Sequence, residues 1–68
     1  MTKGVRALKR FRVDNDLTQE EFSKKYGFRR GTIAGIEAGT SPLVKTAKQI
    51  AQIINVEWAL FFEDEVKH

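Results

Sequence analysis

Residues 17–39 read Leu17-Thr18-Gln19-Glu20-Glu21-Phe22-Ser23-Lys24-Lys25-Tyr26-Gly27-Phe28-Arg29-Arg30-Gly31-Thr32-Ile33-Ala34-Gly35-Ile36-Glu37-Ala38-Gly39. Thr18 followed three residues later by Glu21 has the form of a capping box. The hydroxyl satisfies the Glu21 amide and the carboxylate reaches back to the Thr18 amide. A helix therefore starts at Gln19. Phe22 and Tyr26 share one of its faces, and Gly27 ends it by taking the left-handed conformation that a helix C-cap favours. A second short helix is expected from Arg29 to Ala38, with Ile33 and Ile36 buried and Gly39 as its cap. Ser23 is small where the two helices must approach. Two short helices crossing through a tight, glycine-containing turn make a helix-turn-helix.

The rest of the chain reads outward from this pair as further helices. Apolar residues recur at three- and four-residue spacing and do not alternate, and one proline and five glycines interrupt them, so the spacing predicts an all-α domain. A first helix over Lys3 to Asn15 places Val5, Leu8, Phe11 and Arg12 on one side, and Asp14-Asn15-Asp16 ends it, with Leu17 plugging the corner. Thr40-Ser41-Pro42 is a loop, with Pro42 suited to the first turn of the next helix. Val44, Ala47, Ile50, Ala51 and Ile54 mark an amphipathic fourth helix that Asn55 caps. A last helix over Glu57 to Asp64 carries Trp58, Leu60, Phe61 and Phe62, and residues 63–68 are expected to fray. Residues 1–68 form one domain on this reading, with no repeat or internal boundary.

Composition narrows what such a domain does. The formal net charge is +3, but its distribution is uneven. Through Ile33 there are nine basic residues against four acidic ones, and beyond it three against five. The basic half is the one that faces a polyanion. There is no cysteine, and the one histidine is His68, so disulfides, thiolate metal centres and a histidine-built zinc site are excluded. The longest apolar runs fall far short of the roughly 20 residues that span a bilayer, so no membrane role and a cytoplasmic location are expected. Ser23 and Ser41 have no histidine partner, and no acid–base pair stands out, so an enzyme is not expected. No cofactor or small-molecule ligand is evident.

The joint spacing of Leu17-Thr18-Gln19-Glu20-Glu21-Phe22, Tyr26-Gly27, Thr32-Ile33, Ile36-Glu37-Ala38-Gly39, Pro42 and Val56-Glu57-Trp58 resembles the phage Cro and repressor family. That family is also called the xenobiotic-response-element type of helix-turn-helix, and the likeness runs from Val5 to about Phe62. The resemblance implies a five-helix, lambda-repressor-like fold whose third helix lies in the major groove of double-stranded DNA. It implies a phage or prophage type of transcription regulator, Cro-like or repressor-like, bacterial and nucleoid-associated, that binds a palindromic operator. Arg30, Gly31, Thr32 and Gly35 occupy the positions that read bases or approach the adjacent backbone. Gln19, Arg29, Thr40, Ser41 and Lys45 fall where phosphates are bonded or the third helix is braced. An arginine on the first helix pairs in this family with a glutamate late in the third, and Arg12 and Glu37 match those positions. Arginine donates two hydrogen bonds to guanine O6 and N7, so Arg30 is the expected base reader and Arg29 a phosphate clamp.

Gly31 and Gly35 depart from the pattern of a plain groove reader. Read as interior residues of the third helix, Gly31 and Gly35 cost about 1 kcal/mol each against alanine. Close approach of backbone to DNA, packing against a protein partner, or sparse side-chain readout each account for them. Dimerisation is expected because one recognition helix covers few base pairs. Trp58, Leu60, Phe61 and Phe62 are its candidate surface, against the alternative that Trp58 and Phe61 complete the monomer core. A protein-binding adaptor or antitoxin-like module on the same fold is the competing function.

Overall fold

A computed structural model describes residues 1–63. It contains α1 (Lys3–Asp14), α2 (Gln19–Tyr26), α3 (Thr32–Glu37), α4 (Val44–Ile54) and a closing 3-10 helix (Trp58–Phe62), with no strand element among the described residues. The all-α expectation holds, but the fifth element is a 3-10 turn and not the α-helix expected over Glu57 to Asp64. Apart from Glu63, the tail expected to fray lies outside the described residues.

All four α-helices stop by the same device. A residue with positive φ follows the helix: Asp16 (55°), Gly27 (78°), Gly39 (117°) and Asn55 (61°). The next residue then donates its N–H back across the last turn. These bonds run from Leu17 to the Arg12 carbonyl (2.8 Å), Phe28 to Ser23 (2.9 Å), Thr40 to Gly35 (2.9 Å) and Val56 to Ala51 (3.0 Å). This is the bond of the Schellman motif, in which an apolar residue just past the end folds onto the helix. Leu17, Phe28 and Val56 supply that residue and pack on the core. Three of the four reversals are thus fixed by a local bond and a core contact together; after α3 the exposed Thr40 supplies the bond alone.

Leu8, Phe22, Ile33, Ala47 and Ile50 are fully buried at the centre, joined by Val5, Ile36, Ala51, Ile54 and Phe61. Phe22 is the hub of an aromatic cluster: it meets Phe11 edge-on at 6.1 Å, stacks on Phe28 at 6.0 Å and tilts against Tyr26 at 4.8 Å. Such ring pairs add directional preference to area burial, and here they fasten α2 and its following turn to α1. The α1 helix also packs on α3, α4 and the 3-10 helix. Gly4 permits the last of these contacts, because a Cβ there would lie 2.6 Å from the Phe61 Cγ and 2.8 Å from its backbone nitrogen.

Three expectations are corrected. The third helix begins at Thr32, not Arg29, because Gly31 stands at its N-cap with φ 83° and so cannot continue a right-handed helix. Gly31 is therefore no interior glycine, and only Gly35 bears that cost. Pro42 is not in the first turn of α4: it is buried in the preceding loop, and the helix starts after Leu43. Phe61 is 2% exposed; it closes the monomer core and is not available to a partner.

Candidate nucleic-acid interface

A buried polar node sits under the helix pair. The Glu37 side chain is 1% exposed and that of Arg12 13%. Arg12 donates Nε to Glu37 Oε2 and Nη2 to Oε1, both at 2.6 Å, and its Nη1 to the Leu17 carbonyl at 2.9 Å. Two parallel bonds between planar groups fix orientation as well as distance. Gln19 Nε2 adds a third donor to Glu37 Oε1 at 3.1 Å. The hydrogen bond to Glu37 raises the Arg12 pKa above its ordinary value, against the opposing effect of burial, so the guanidinium stays charged. The node joins α1, the first residue of α2 and the last residue of α3.

Above this base α3 projects with a small outward face. Thr32, Ala34 and Gly35 are half-buried and Ala38 is exposed. Arg29 and Arg30 are both exposed on the turn that precedes the helix, and they border different hollows. Arg30 and Gly31 border a hollow of about 340 Å³ shared with Gln19, Ser23, Phe28 and Ala34. Arg29 borders a broader depression of about 600 Å³ that also brings together Thr32, Thr40, Ser41 and Lys45. Gly35 stands beside Thr40, where a Cβ would lie 3.8 Å from the threonine Oγ1 in ordinary contact. No internal packing demands a glycine at 35.

The depression adjoins the start of α4, whose N-cap Leu43 gives no side-chain hydrogen bond. The first-turn N–H groups lack the acceptor that a serine or aspartate cap supplies. Thr40, Ser41, Lys45 and those N–H groups together suit an anionic oxygen. The Gln19 bond to Glu37 went unread in the sequence, because nothing local links residues so far apart. Gln19 gives one amide hydrogen inward and keeps the rest of its amide for other partners. The hollow formed by Ser23, Phe28 and Ala34 was likewise invisible until the helices were placed.

On the closing 3-10 helix, Trp58 and Phe62 are 40% and 41% exposed, and Phe62 shares a hollow with Thr40 and Ser41. Their rings meet edge-to-face at 6.1 Å, and the Lys48 ammonium lies 5.0 Å from the Trp58 ring centre. Leu60 is half-buried. The apolar surface left open here is therefore Trp58 and Phe62, with Phe61 turned inward.

Comparison with known proteins agrees with this architecture. The model of the helix-turn-helix family matches residues 8–61. An uncharacterised HTH-type transcriptional regulator of Archaeoglobus fulgidus is 39% identical over 61 residues, covering 85% of this chain and 87% of the relative. The uncharacterised HTH-type transcriptional regulator YqaF of Bacillus subtilis is 38% identical over 65 residues, covering 90% and 86%. A third such regulator, from Methanocaldococcus jannaschii, is 39% identical over 61 residues, covering 85% and 92%. No solved structure matches the chain. With the family match running from α1 into the closing 3-10 helix and the two short helices crossing over a buried Arg12–Glu37 pair, the chain belongs to the helix-turn-helix family of the phage Cro and repressor type.

Proposed function

We propose that this helix-turn-helix protein, a DNA-binding transcription regulator and not an enzyme, binds a palindromic operator as a Cro-like or repressor-like homodimer with α3 in the major groove. The observation that carries the reading is the placement of cations. Arg29, Arg30 and Lys45 stand exposed around a helix with a small outward face, and a buried node holds that helix from beneath. A small face lets the helix backbone sit deep in a groove, while the flanking cations meet phosphates.

Arg30 reads guanine, with Gln19 bracing it. Arg29, Thr40, Ser41 and Lys45 hold phosphates, and Thr32 and Gly35 lie beside them. Positioning by phosphates then supplies much of the affinity, and shape readout adds to a thin set of base contacts. The Trp58–Phe62 surface, with Leu60 beside it, pairs two copies so that two recognition helices reach half-sites about one helical turn apart. A cytoplasmic location follows from the DNA target; no helix among the described residues is long and apolar enough to cross a membrane.

Operator selection from a random duplex pool, followed by gel shift across a salt series, tests this reading. With about six phosphates neutralised, affinity should fall roughly 10³-fold between 50 and 200 mM salt. Binding that fails to enrich any sequence, with α3 capturing protein instead, would point to the adaptor reading.

A further inference from the structure

The hollow beside Arg30 has a chemistry that phosphate binding does not use. It is lined by Phe28, Gly31, Ala34 and the buried Ser23, together with Gln19, Arg30, Glu20 and Lys24. Ser23 is 6% exposed, and among the described residues its hydroxyl has no hydrogen-bond partner. A buried hydroxyl without a partner is costly, and such groups in a native fold call for an acceptor from water or a ligand. The acid of the lining, Glu20, is drawn to Lys24 at 3.7 Å. The site therefore offers an apolar wall and a hydroxyl side by side, next to an arginine suited to guanine.

On the major-groove edges of DNA only one standard base places a methyl group next to a hydrogen-bond acceptor: thymine, with its C5-methyl and O4. We infer that this hollow is a specificity pocket for a thymine adjoining the base read by Arg30, with the C5-methyl against Phe28 and Ala34 and O4 accepting from Ser23. Gly31 keeps the wall low, since its left-handed backbone and missing side chain leave the hollow open. A long polar side chain at position 34 would occupy the same space and read by hydrogen bonds; alanine leaves it for a methyl. The pocket rests on the DNA-binding reading above and adds to it the identity of one operator base.

The test uses the full chain and the operator obtained by selection. Each thymine is replaced in turn by deoxyuridine, which removes the methyl alone, and separately by 5-methylcytosine, which keeps the methyl but replaces the O4 acceptor with an amino donor. At one position in each half-site deoxyuridine should weaken binding about fourfold, the worth of one buried methyl group. Methylcytosine at that position should bind better than cytosine and less well than thymine. Ser23→Ala should melt no lower than the parent while binding the operator roughly three- to tenfold more weakly. Ala34→Gln, a substitution on a half-buried helix face, should bind thymine and deoxyuridine operators alike. Equal binding of every deoxyuridine operator by the parent protein overturns the pocket while leaving DNA binding intact. Failure to select any operator overturns the underlying reading instead.

Discussion

Arg12 and Glu37 face each other through two 2.6 Å hydrogen bonds across the α1–α3 contact, with the carboxylate side chain 1% exposed. Removing one member leaves the other charge buried and unpaired, at about 3–5 kcal/mol in a dry site. Because Arg12 keeps 13% side-chain exposure, Glu37→Gln should lose stability near the lower end of that range. Urea unfolding measures it, and an unchanged midpoint would sink the assignment. Joint replacement, Arg12→Met with Glu37→Leu, should recover stability relative to Glu37→Gln. It should still bind the operator poorly, because Gln19 then loses its anchor.

Gly31 and Gly35 should respond to alanine with opposite signs. Gly31 has φ 83°, where an L-residue costs about 1–2 kcal/mol, so Gly31→Ala should melt lower. Gly35 lies inside α3 with room for a Cβ, and Gly35→Ala should gain about 0.5–1 kcal/mol of stability. If Gly35 exists for close approach of the helix backbone to DNA, that more stable variant binds the operator less tightly. Tighter binding would contradict the close approach.

Gly4→Ala should destabilise by about 1–3 kcal/mol, the usual range for overpacking. The added Cβ would meet the Phe61 backbone nitrogen at 2.8 Å as well as its ring, and backbone cannot swing aside as a flexible side chain does. Thermal melting decides the point, with an unchanged melting temperature counting against a tight α1 contact to the 3-10 helix.

Arg30→Ala and Lys45→Ala should separate base reading from phosphate attraction. The first should relax preference at one base position, with a loss of about 1–3 kcal/mol on the best operator. The second should weaken all sequences alike and lower the salt slope by about one. Competition binding with operator and scrambled duplexes reads both. Arg30→Ala weakening both duplexes equally would make Arg30 a phosphate contact.

These variants also mark where the sequence was legible. The Thr18–Glu21 box, the Gly27 stop, the Ile33 and Ile36 anchors and the Asn55 cap are local signals, and the fold follows them closely. The start of α3 is not legible in the sequence, because a glycine flanked by arginine and threonine suits either helix interior or left-handed cap. Only the tertiary path that carries Phe28 onto Phe22 decides between them. The fate of Phe61 turned on Gly4, a partner nearly the whole chain away. No periodicity within the last element distinguishes Phe61 from Phe62. The hollow with its Ser23 hydroxyl, which has no hydrogen-bond partner among the described residues, depends on the crossing of two helices, so it has no signature in either helix alone.

Acid stability isolates the Thr18 cap. The Glu21 carboxylate accepts the Thr18 backbone N–H at 2.9 Å, and the Glu21 amide donates to the Thr18 hydroxyl at 3.0 Å. The bond from the Thr18 backbone, followed by that from its side chain, holds the Glu21 pKa below its ordinary 4.5. A carboxyl whose folded pKa is depressed binds protons more readily when unfolded. Its stabilising contribution is therefore fully present above the ordinary value and lost as pH falls through the lower folded value. Glu21→Gln keeps an amide oxygen for the same backbone N–H but cannot titrate. The parent should therefore be more stable than this variant at neutral pH, and the gap should close in strong acid. Every other carboxyl is common to both proteins and cancels in the difference. Paired urea midpoints at neutral and strongly acid pH measure it. A gap that stays constant across that interval would show that the Glu21 charge plays no part in starting α2.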